Sequence, residues 1–509
     1  AILAQAGPRG PGGKLRQAAA WRPGARPAMA SRGAAVEAHL AALAKGADAE
    51  LRSSPDRGRG LFAKAAPEGE PAVVFADGPL AGIVQGAPGG PGGLACALCG
   101  HALGDLRRHL RRLAGQDAGP GAPDGPGARD PALEEPLSEL LQAKPLFSRK
   151  KPIFCSGACR DKHERIFAPL RKELEATRRF AEHARRCDCA FHLLALKLLC
   201  WAISEVETSG PEKAAAPLRA LFCRPYWDAV DMPDGESEAA RSRERLQQEA
   251  ERSRGLAVAA LKAALPLPEG WDFLEPDGYA NLLGALCCNA IAVVYVSPVV
   301  QHILQVDAMV ECGEKSAAVA ALAPWIRALQ AAPARPRAGA EDDSSGSEEA
   351  RARRADDERA LAWKEPGGGG RQLEFSTALF PPFKGYAVYP RLALINHSCA
   401  PTCAVEFTFA AHMFLIAQGE GSIRPGDELT ISYLDASLGA APAATAAAAR
   451  RRRQLLRPYG FECRCDACAP AEAKPPGSAA PGKAAAPASA KRRRGGPGAA
   501  SAPRRQRLG

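Results

Sequence analysis

Residues 391–407 read RLALINHSCAPTCAVEF. A short apolar run stops at Asn396, His397, Ser398 and Cys399; Pro401 follows, and the strand-like CAVEF resumes. An amide, an imidazole, a hydroxyl and a thiol in a row are an odd way to end a buried strand, because each polar group needs a partner or a use. Three readings compete: a Cys/His nucleophile pair, a metal site, or a crowded cofactor site.

A second motif narrows them. FECRCDAC (461–468) brings Cys463, Cys465 and Cys468 close together. Zinc takes four N or S ligands in a tetrahedron at ~2.0–2.3 Å, so three thiols leave one position, and Cys399 is the candidate to fill it. The bland reading, three free surface thiols, would be an oxidation liability. The nucleophile pair fails on geometry. His397 and Cys399 stand two residues apart on one strand end and cannot readily face each other as base and nucleophile. A zinc-bound thiolate would not be free to attack in any case.

Composition sets the frame. The chain has 509 residues, enough for several domains. Hydrophobic residues make up 46%, but aromatics only 6%, and 50 Gly and 44 Pro point to extensive linkers, so cores must be local. No apolar run is long enough to span a bilayer, and the most apolar stretch, ANLLGALCCNAIAVVYVSPVV, carries Asn281 and Asn289; no membrane partner is expected. No segment reads as a secretory signal, so the 16 cysteines are expected to be metal ligands and buried thiols instead of disulfides. Residues 1–36 contain Arg and Lys but no Asp or Glu. That pattern fits a transit peptide, and equally fits sequence ahead of a start at Met29. The net charge of +11 is uneven: 450–453 and the tail KRRRGGPGAASAPRRQR (491–507) are basic, EDDSSGSEE (341–349) acidic. The tail reads as a nuclear-import signal, a DNA contact, or a merely solvated segment.

Along the chain, RGRGLFAKAAPEGEPAVVFADGPL gives a small β unit over 52–85, with a second strand around 73–75. CALC (96–99) and FCSGAC (154–159) follow, separated by the Gly/Pro/Asp-rich residues 115–136, which are expected to be disordered. Helical spacing runs from about 170 to 206 and again over 236–264. Residues 331–370, ending in GGGG, read as a disordered insertion. LEFSTALF, GYAVYPRLALI, CAVEFTF, HMFLIA and ELTISY then read as short strands of a small sheet, not a βαβ pattern.

NHSC, then GDELTISY, then a CxCxxC knuckle, in that order, resembles a SET-domain protein methyltransferase. GRG (Gly58, Arg59, Gly60) with LFA behind it resembles that fold's first cofactor motif. GYAVYPRLALINHSCAPTC and Cys288-Asn289-Ala290 resemble the SET and MYND domain family in particular. The resemblance covers about 51–100, 154–190 and 271–468. The chain is similar to the shorter members that lack the C-terminal helical-repeat domain. The implied fold is α+β: a β-rich SET fold of small sheets with a pseudo-knot, carrying zinc-binding MYND-like and helical insertions, with disordered termini. The implied boundaries are a disordered or targeting segment (1–50), the N-terminal part of SET (51–95), a MYND-like zinc insertion (96–190), a helical insertion (191–270), the C-terminal part of SET (271–435), a post-SET knuckle (436–468) and a basic disordered tail (469–509).

The resemblance also implies a chemistry: S-adenosyl-L-methionine-dependent methylation of a protein lysine. An in-line displacement at a sulfonium needs amine, methyl and sulfur aligned and water excluded, and it needs the amine neutral, which an apolar channel beside a positive sulfur favours. By resemblance, Tyr433 is the active-site tyrosine. Gly58, Arg59, Gly60, Asn289, Asn396 and His397 contact the cofactor, and Tyr459 and Phe461 close over it. Cys399, Cys463, Cys465 and Cys468 hold the post-SET zinc. A MYND finger pairs an outer CxxC with a later CxxxC, here Cys96, Cys99, Cys155 and Cys159, for one zinc. Its second zinc needs an inner CxxC, which is missing, so the matching His183 and Cys187 are left over and one zinc is expected there; His163 and Cys189 are conceivable substitutes.

The expected function is therefore a lysine N-methyltransferase acting on a histone tail, or on a ribosomal or other non-histone protein, in the nucleus or cytoplasm, or in an organelle if residues 1–36 are a transit peptide. The rival is a non-catalytic zinc-dependent adaptor, and Tyr433, Asn396, His397 and residues 58–60 discriminate against it.

Overall fold

A computed structural model of the chain describes residues 30–54, 57–69, 71–85, 94–116, 131–134, 141–142, 152–172, 174–187, 189–233, 235–312, 316–332, 359–365, 371–407, 411–418, 423–434, 456–463, 465 and 468. The stretches expected to be disordered at 1–29, 117–130, 333–358, 366–370 and 469–509 lie outside these residues.

The chain opens with α1 (Ala30–Gly46), then β1 (Ala49–Ser54), β2 (Gly58–Ala63), β3 (Val73–Asp77) and β4 (Ala81–Gln85). An insertion follows: α2 (Leu106–Leu113), α3 (Pro131–Glu134), β5 (Leu141–Gln142), β6 (Ile153–Phe154), α4 (Gly157–Phe167) and α5 (Leu174–Arg186). Next come α6 (Ala190–Ser209), α7 (Pro211–Ala220), α8 (Glu236–Ala264) and α9 (Pro276–Asn289). The remainder is β7 (Ala290–Tyr295), α10 (Pro298–Glu311), α11 (Ser316–Ala331), β8 (Ala360–Lys364), β9 (Gln372–Ser376), β10 (Phe383–Val388), β11 (Asn396–His397), β12 (Cys403–Phe407), β13 (Met413–Ala417) and β14 (Thr430–Ile431). Among the described residues no helix is long and apolar enough to cross a membrane.

Small sheets join distant parts of the chain, as the short-strand pattern predicts. Strands β4 and β7 flank β10, and β12, β13 and β3 form a second three-stranded sheet. Strand β1 pairs with β2, and β11 runs parallel to β14, with Asn396 opposite Thr430 and His397 opposite Ile431. These strands and α1 enclose one core, centred on Leu61, Phe383, Ala387, Tyr389, Met413 and Leu415. A second core lies in the helical lobe. There α8 buries Leu246, Ala250, Ser253, Ala257, Ala260, Leu261 and Ala264, one face at helical spacing whose small side chains let α5 and α9 come close. Each fully buried Leu in such a face contributes about 1.5–3 kcal/mol.

Four expectations are corrected. Residues 30–46, within the stretch expected to be a disordered or targeting segment, are helix and not disordered, because Leu40 and Ala44 recur on one face that packs on α7 and β1. Residues 131–134, inside the supposed linker, form a short helix whose Leu133 is fully buried with Leu106 and Leu110 of α2. Residues 360–364, inside the supposed insertion, form β8, hydrogen-bonded to β9, with Leu361 and Trp363 facing α10 and α11 in a third core. The apolar run before NHSC is not a strand: β10 ends at Val388, Pro390 cannot donate to a ladder, and Asp77 Oδ2 accepts the Arg391 and Leu392 N–H groups, turning residues 392–394 into a 3-10 helix.

Candidate functional site

The parallel pairing of β11 with β14 brings the NHSC and GDELTISY motifs side by side. His397 is at the centre of this junction and is buried. Its Nδ1 accepts the Tyr433 backbone N–H at 2.9 Å, which puts its ring proton on Nε2, 3.2 Å from Cys399 Sγ. One ring therefore links the thiol to the backbone of the candidate tyrosine.

Tyr433 O–H donates to the Ile395 carbonyl at 2.6 Å. Burial, first, and the nearness of Cys288 and Glu428 push its phenol above the ordinary value, so it is held as a neutral donor. Its ring packs against Tyr459 (4.9 Å between centroids), His397 (5.4 Å) and Phe461 (6.3 Å). Tyr459 is buried, while Phe461 is, among the described residues, one of the few large apolar side chains left exposed. Ring faces gathered in this way attract a cation, sulfonium included.

Asn396 Nδ2 donates to the Arg59 carbonyl (3.1 Å) and to Glu428 Oε1 (2.8 Å). Gly60 is required for this: a Cβ there would lie 2.8 Å from both Asn396 Nδ2 and Glu428 Oε1. Gly60 thus makes room for protein side chains, whereas Gly58, at φ +69° with open space beside it, leaves backbone exposed to a ligand. The Arg59 guanidinium is turned away and donates to Ala220 O at 3.0 Å. Asn289 Nδ2 donates to Phe222 O and Ala285 O, both at 2.7 Å, so its N–H groups serve the end of α9. The neighbouring Cys288 lies under Leu434, Leu456 and Tyr459.

Three residues escaped the sequence reading. Arg57 ion-pairs with Glu428 and donates to the His397 carbonyl at 2.8 Å. Glu428 sits inside GDELTISY, so that motif carried a signal for it. Arg224 had none: its Nη1 reaches the carbonyls of Arg457 (2.9 Å) and Pro458 (2.8 Å) and fixes the turn that carries Tyr459.

The cysteines gather as expected. Cys399, Cys463, Cys465 and Cys468 place their sulfurs within 4.8 Å of one another, as do Cys96, Cys99, Cys155 and Cys159. Close pairs measure 3.9 Å (Cys399–Cys463), 3.4 Å (Cys399–Cys468) and 3.5 Å (Cys99–Cys155 and Cys155–Cys159). The S–S edge of a tetrahedral zinc–thiolate site is ~3.8 Å, so both sets could hold zinc. Without a cation, burial and a hydrogen bond with Cys159 push the Cys155 thiol up to about 11. Hydrogen bonding to Cys463 and Cys465, then burial, raise that of Cys399 as well. A divalent ion reverses that preference.

The two conceivable substitutes join neither set: the buried His163 ring packs between Phe154 and Phe167, and Cys189 Sγ accepts from Tyr226 O–H at 3.8 Å. His183 and Cys187 are adjacent, with Nε2 and Sγ 3.6 Å apart, but the metal-type cluster that forms around Cys187 includes His192 and Glu249.

The SET domain family matches residues 327–434. The chain is 40% identical over 84 residues to histone-lysine N-methyltransferase SMYD3 of Mus musculus, a match covering 16% of this chain and 17% of that protein. It is 37% identical over 93 residues to a SET and MYND domain-containing protein of Dictyostelium discoideum, covering 18% and 24%. Histone-lysine N-methyltransferase ATXR2 of Arabidopsis thaliana matches over 363 residues at 23% identity, 63% of each chain. The match thus spans less than a quarter of the first two relatives and under two thirds of the third.

Proposed function

We propose that this chain, a SET-domain protein of the SET and MYND domain family, is an S-adenosyl-L-methionine-dependent protein-lysine N-methyltransferase whose substrate is a histone tail lysine. The observation that carries the proposal is the junction of β11 and β14, where Tyr433 stands within one ring cluster with His397, Tyr459 and Phe461, beside Asn396 and the four-thiol knuckle.

When bound, S-adenosylmethionine supplies an electrophilic methyl group on a cationic sulfur. The chain's own residues have three tasks. Gly58 leaves backbone open beside the cofactor, while Asn396 and His397 meet its polar end through groups that the Arg57–Glu428 pair holds in place. Tyr459 and Phe461 cover it and exclude water, and their ring faces favour the positive sulfur. Tyr433 keeps its proton and offers its hydroxyl to align the incoming amine, which must arrive neutral. Cys399, Cys463, Cys465 and Cys468 hold one zinc and clamp 461–468 against NHSC, closing the crossing that the family resemblance implies. Cys96, Cys99, Cys155 and Cys159 hold another. The basic tail serves nuclear import or DNA contact, and the enzyme works in the nucleus or cytoplasm.

Incubation of the full chain with methyl-labelled cofactor and separate histone and ribosomal protein panels, read by mass spectrometry, tests this. Label on a histone lysine is expected. Label on ribosomal proteins alone overturns the substrate, and cofactor binding without any transfer overturns the enzyme in favour of an adaptor.

A further inference from the structure

The His183-x-x-x-Cys187 motif is left without a role by the two four-thiol sets. Its surroundings supply one. Cys187 directly follows α5, His192 lies in the first turn of α6, and Glu249 sits in α8; one donor atom from each falls within 4.8 Å of the others. His192 Nε2 is 2.7 Å from Glu249 Oε1, and Tyr226 O–H donates to the same oxygen at 3.2 Å. His183 Nε2 stands 3.6 Å from Cys187 Sγ, and its ring lies 5.6 Å from that of His192. Both histidines are buried.

We propose that Cys187, His192 and Glu249, with His183 as fourth donor, form a third metal site, for a zinc-class divalent cation, that ties α5 and α6 to α8.

The donor set is one sulfur, two imidazole nitrogens and one carboxylate oxygen, the borderline mixture that zinc accepts. The 3.6 Å separation of His183 Nε2 and Cys187 Sγ is close to the S–N edge of a zinc tetrahedron, ~3.5 Å for bonds of ~2.3 and ~2.0 Å. Glu249 has no ion pair with Lys or Arg among the described residues, so a cation bound here would meet a carboxylate not already neutralised by a guanidinium. On binding, the Cys187 thiol proton leaves to solvent, and His192 presents one deprotonated ring nitrogen to the metal and keeps its proton on the other. The missing inner CxxC is thereby replaced by residues from the helical lobe, and the site stands whether or not the chain transfers methyl groups.

Metal analysis of the purified full chain tests it. With the two four-thiol sites filled, about three zinc ions per chain are expected instead of about two. Glu249→Gln and His192→Gln should each remove about one equivalent. Glu249→Gln keeps the side-chain volume and an oxygen for Tyr226, so a merely hydrogen-bonded cluster would survive it with its metal content unmoved. X-ray absorption on the unmodified chain gives a readout that needs no variant: the average shell should hold roughly three sulfurs and one nitrogen or oxygen per zinc, against sulfur alone for two four-thiol sites. An all-sulfur shell, or zinc content unchanged by Glu249→Gln, overturns the proposal.

Discussion

The four-thiol sets at Cys399 and at Cys96 share their donors and differ in what touches them. Around Cys399 the ligand is met by His397 Nε2, whose other nitrogen holds the Tyr433 backbone, and the Cys399 N–H donates to Cys465 Sγ at 3.4 Å. Its ligands come from 399 and from 463–468, so bringing them together closes a loop of more than sixty residues. Around Cys96 the neighbours are Leu94, Leu103 and Phe154. Two ties to the sheet core pass through backbone: Tyr295 O–H donates to the Gly100 carbonyl at 2.5 Å, and Ala411 N–H to that of Cys99 at 3.2 Å; Ala95 and Ala102 add apolar contacts. Equal metal chemistry therefore has unequal reach. One set is one hydrogen bond from the ring cluster, while the other braces an insertion.

The largest effect should follow from breaking the first. Cys399→Ser is expected to release one zinc and weaken cofactor binding by more than about 100-fold, since ligand geometry and local fold go together. Zinc analysis beside calorimetric titration of the cofactor checks this, and full zinc retention would refute the shared site. Tyr433→Phe comes next. It keeps the ring and loses the hydroxyl, so transfer should fall about 10²–10³-fold, or the number of methyls added should shift, with cofactor affinity kept. Unchanged turnover in single-turnover assays would sink the assignment of Tyr433.

How legible these two regions were differs too. The Cys399 set could be read from spacing, because a metal demands a fixed donor count, whereas the pairing of Cys96 and Cys99 with Cys155 and Cys159 rested on the resemblance to a MYND finger. The helix at 236–264 was legible from its period. The strand at 360–364 was hidden by composition: it lies between Ala/Arg-rich and Gly-rich residues, and only its pairing with 372–376 and the burial of Trp363 make it a strand. Arg224 was invisible for a similar reason, since what matters is a contact with a turn 233 positions later. Gly60 was read as room for a ligand, yet it first makes room for Asn396 and Glu428.

Glu428→Gln sharpens the comparison at intermediate size. It removes the charge facing Arg57 while keeping an oxygen for Asn396. Arg57 is 42% exposed and its partner 15%, so solvent screens the pair. A loss of about 1 kcal/mol, roughly fivefold in cofactor Kd, is expected. A titration showing no change would mean that Asn396 is positioned by Gly60 and the β11–β14 pairing alone.

The smallest effect on transfer should come from Cys155→Ser in the second set. Cys155 lies 3.5 Å from both Cys99 and Cys159, so one zinc equivalent should be lost. The hydrophobic contacts of Leu94, Leu103 and Phe154 remain, as do the Tyr295 and Ala411 ties, so the damage should stay local. A destabilisation of about 2 kcal/mol, seen as a Tm lower by roughly 3–6 °C, is expected, with transfer within about twofold of the unmodified chain. Because Ala411 belongs to the same core as Tyr389 and Met413, a real route to the ring cluster does exist. If Cys155→Ser cuts transfer as deeply as Cys399→Ser while the chain stays folded, that route carries the coupling, and the contrast between a clamp on the site and a brace on an insertion collapses.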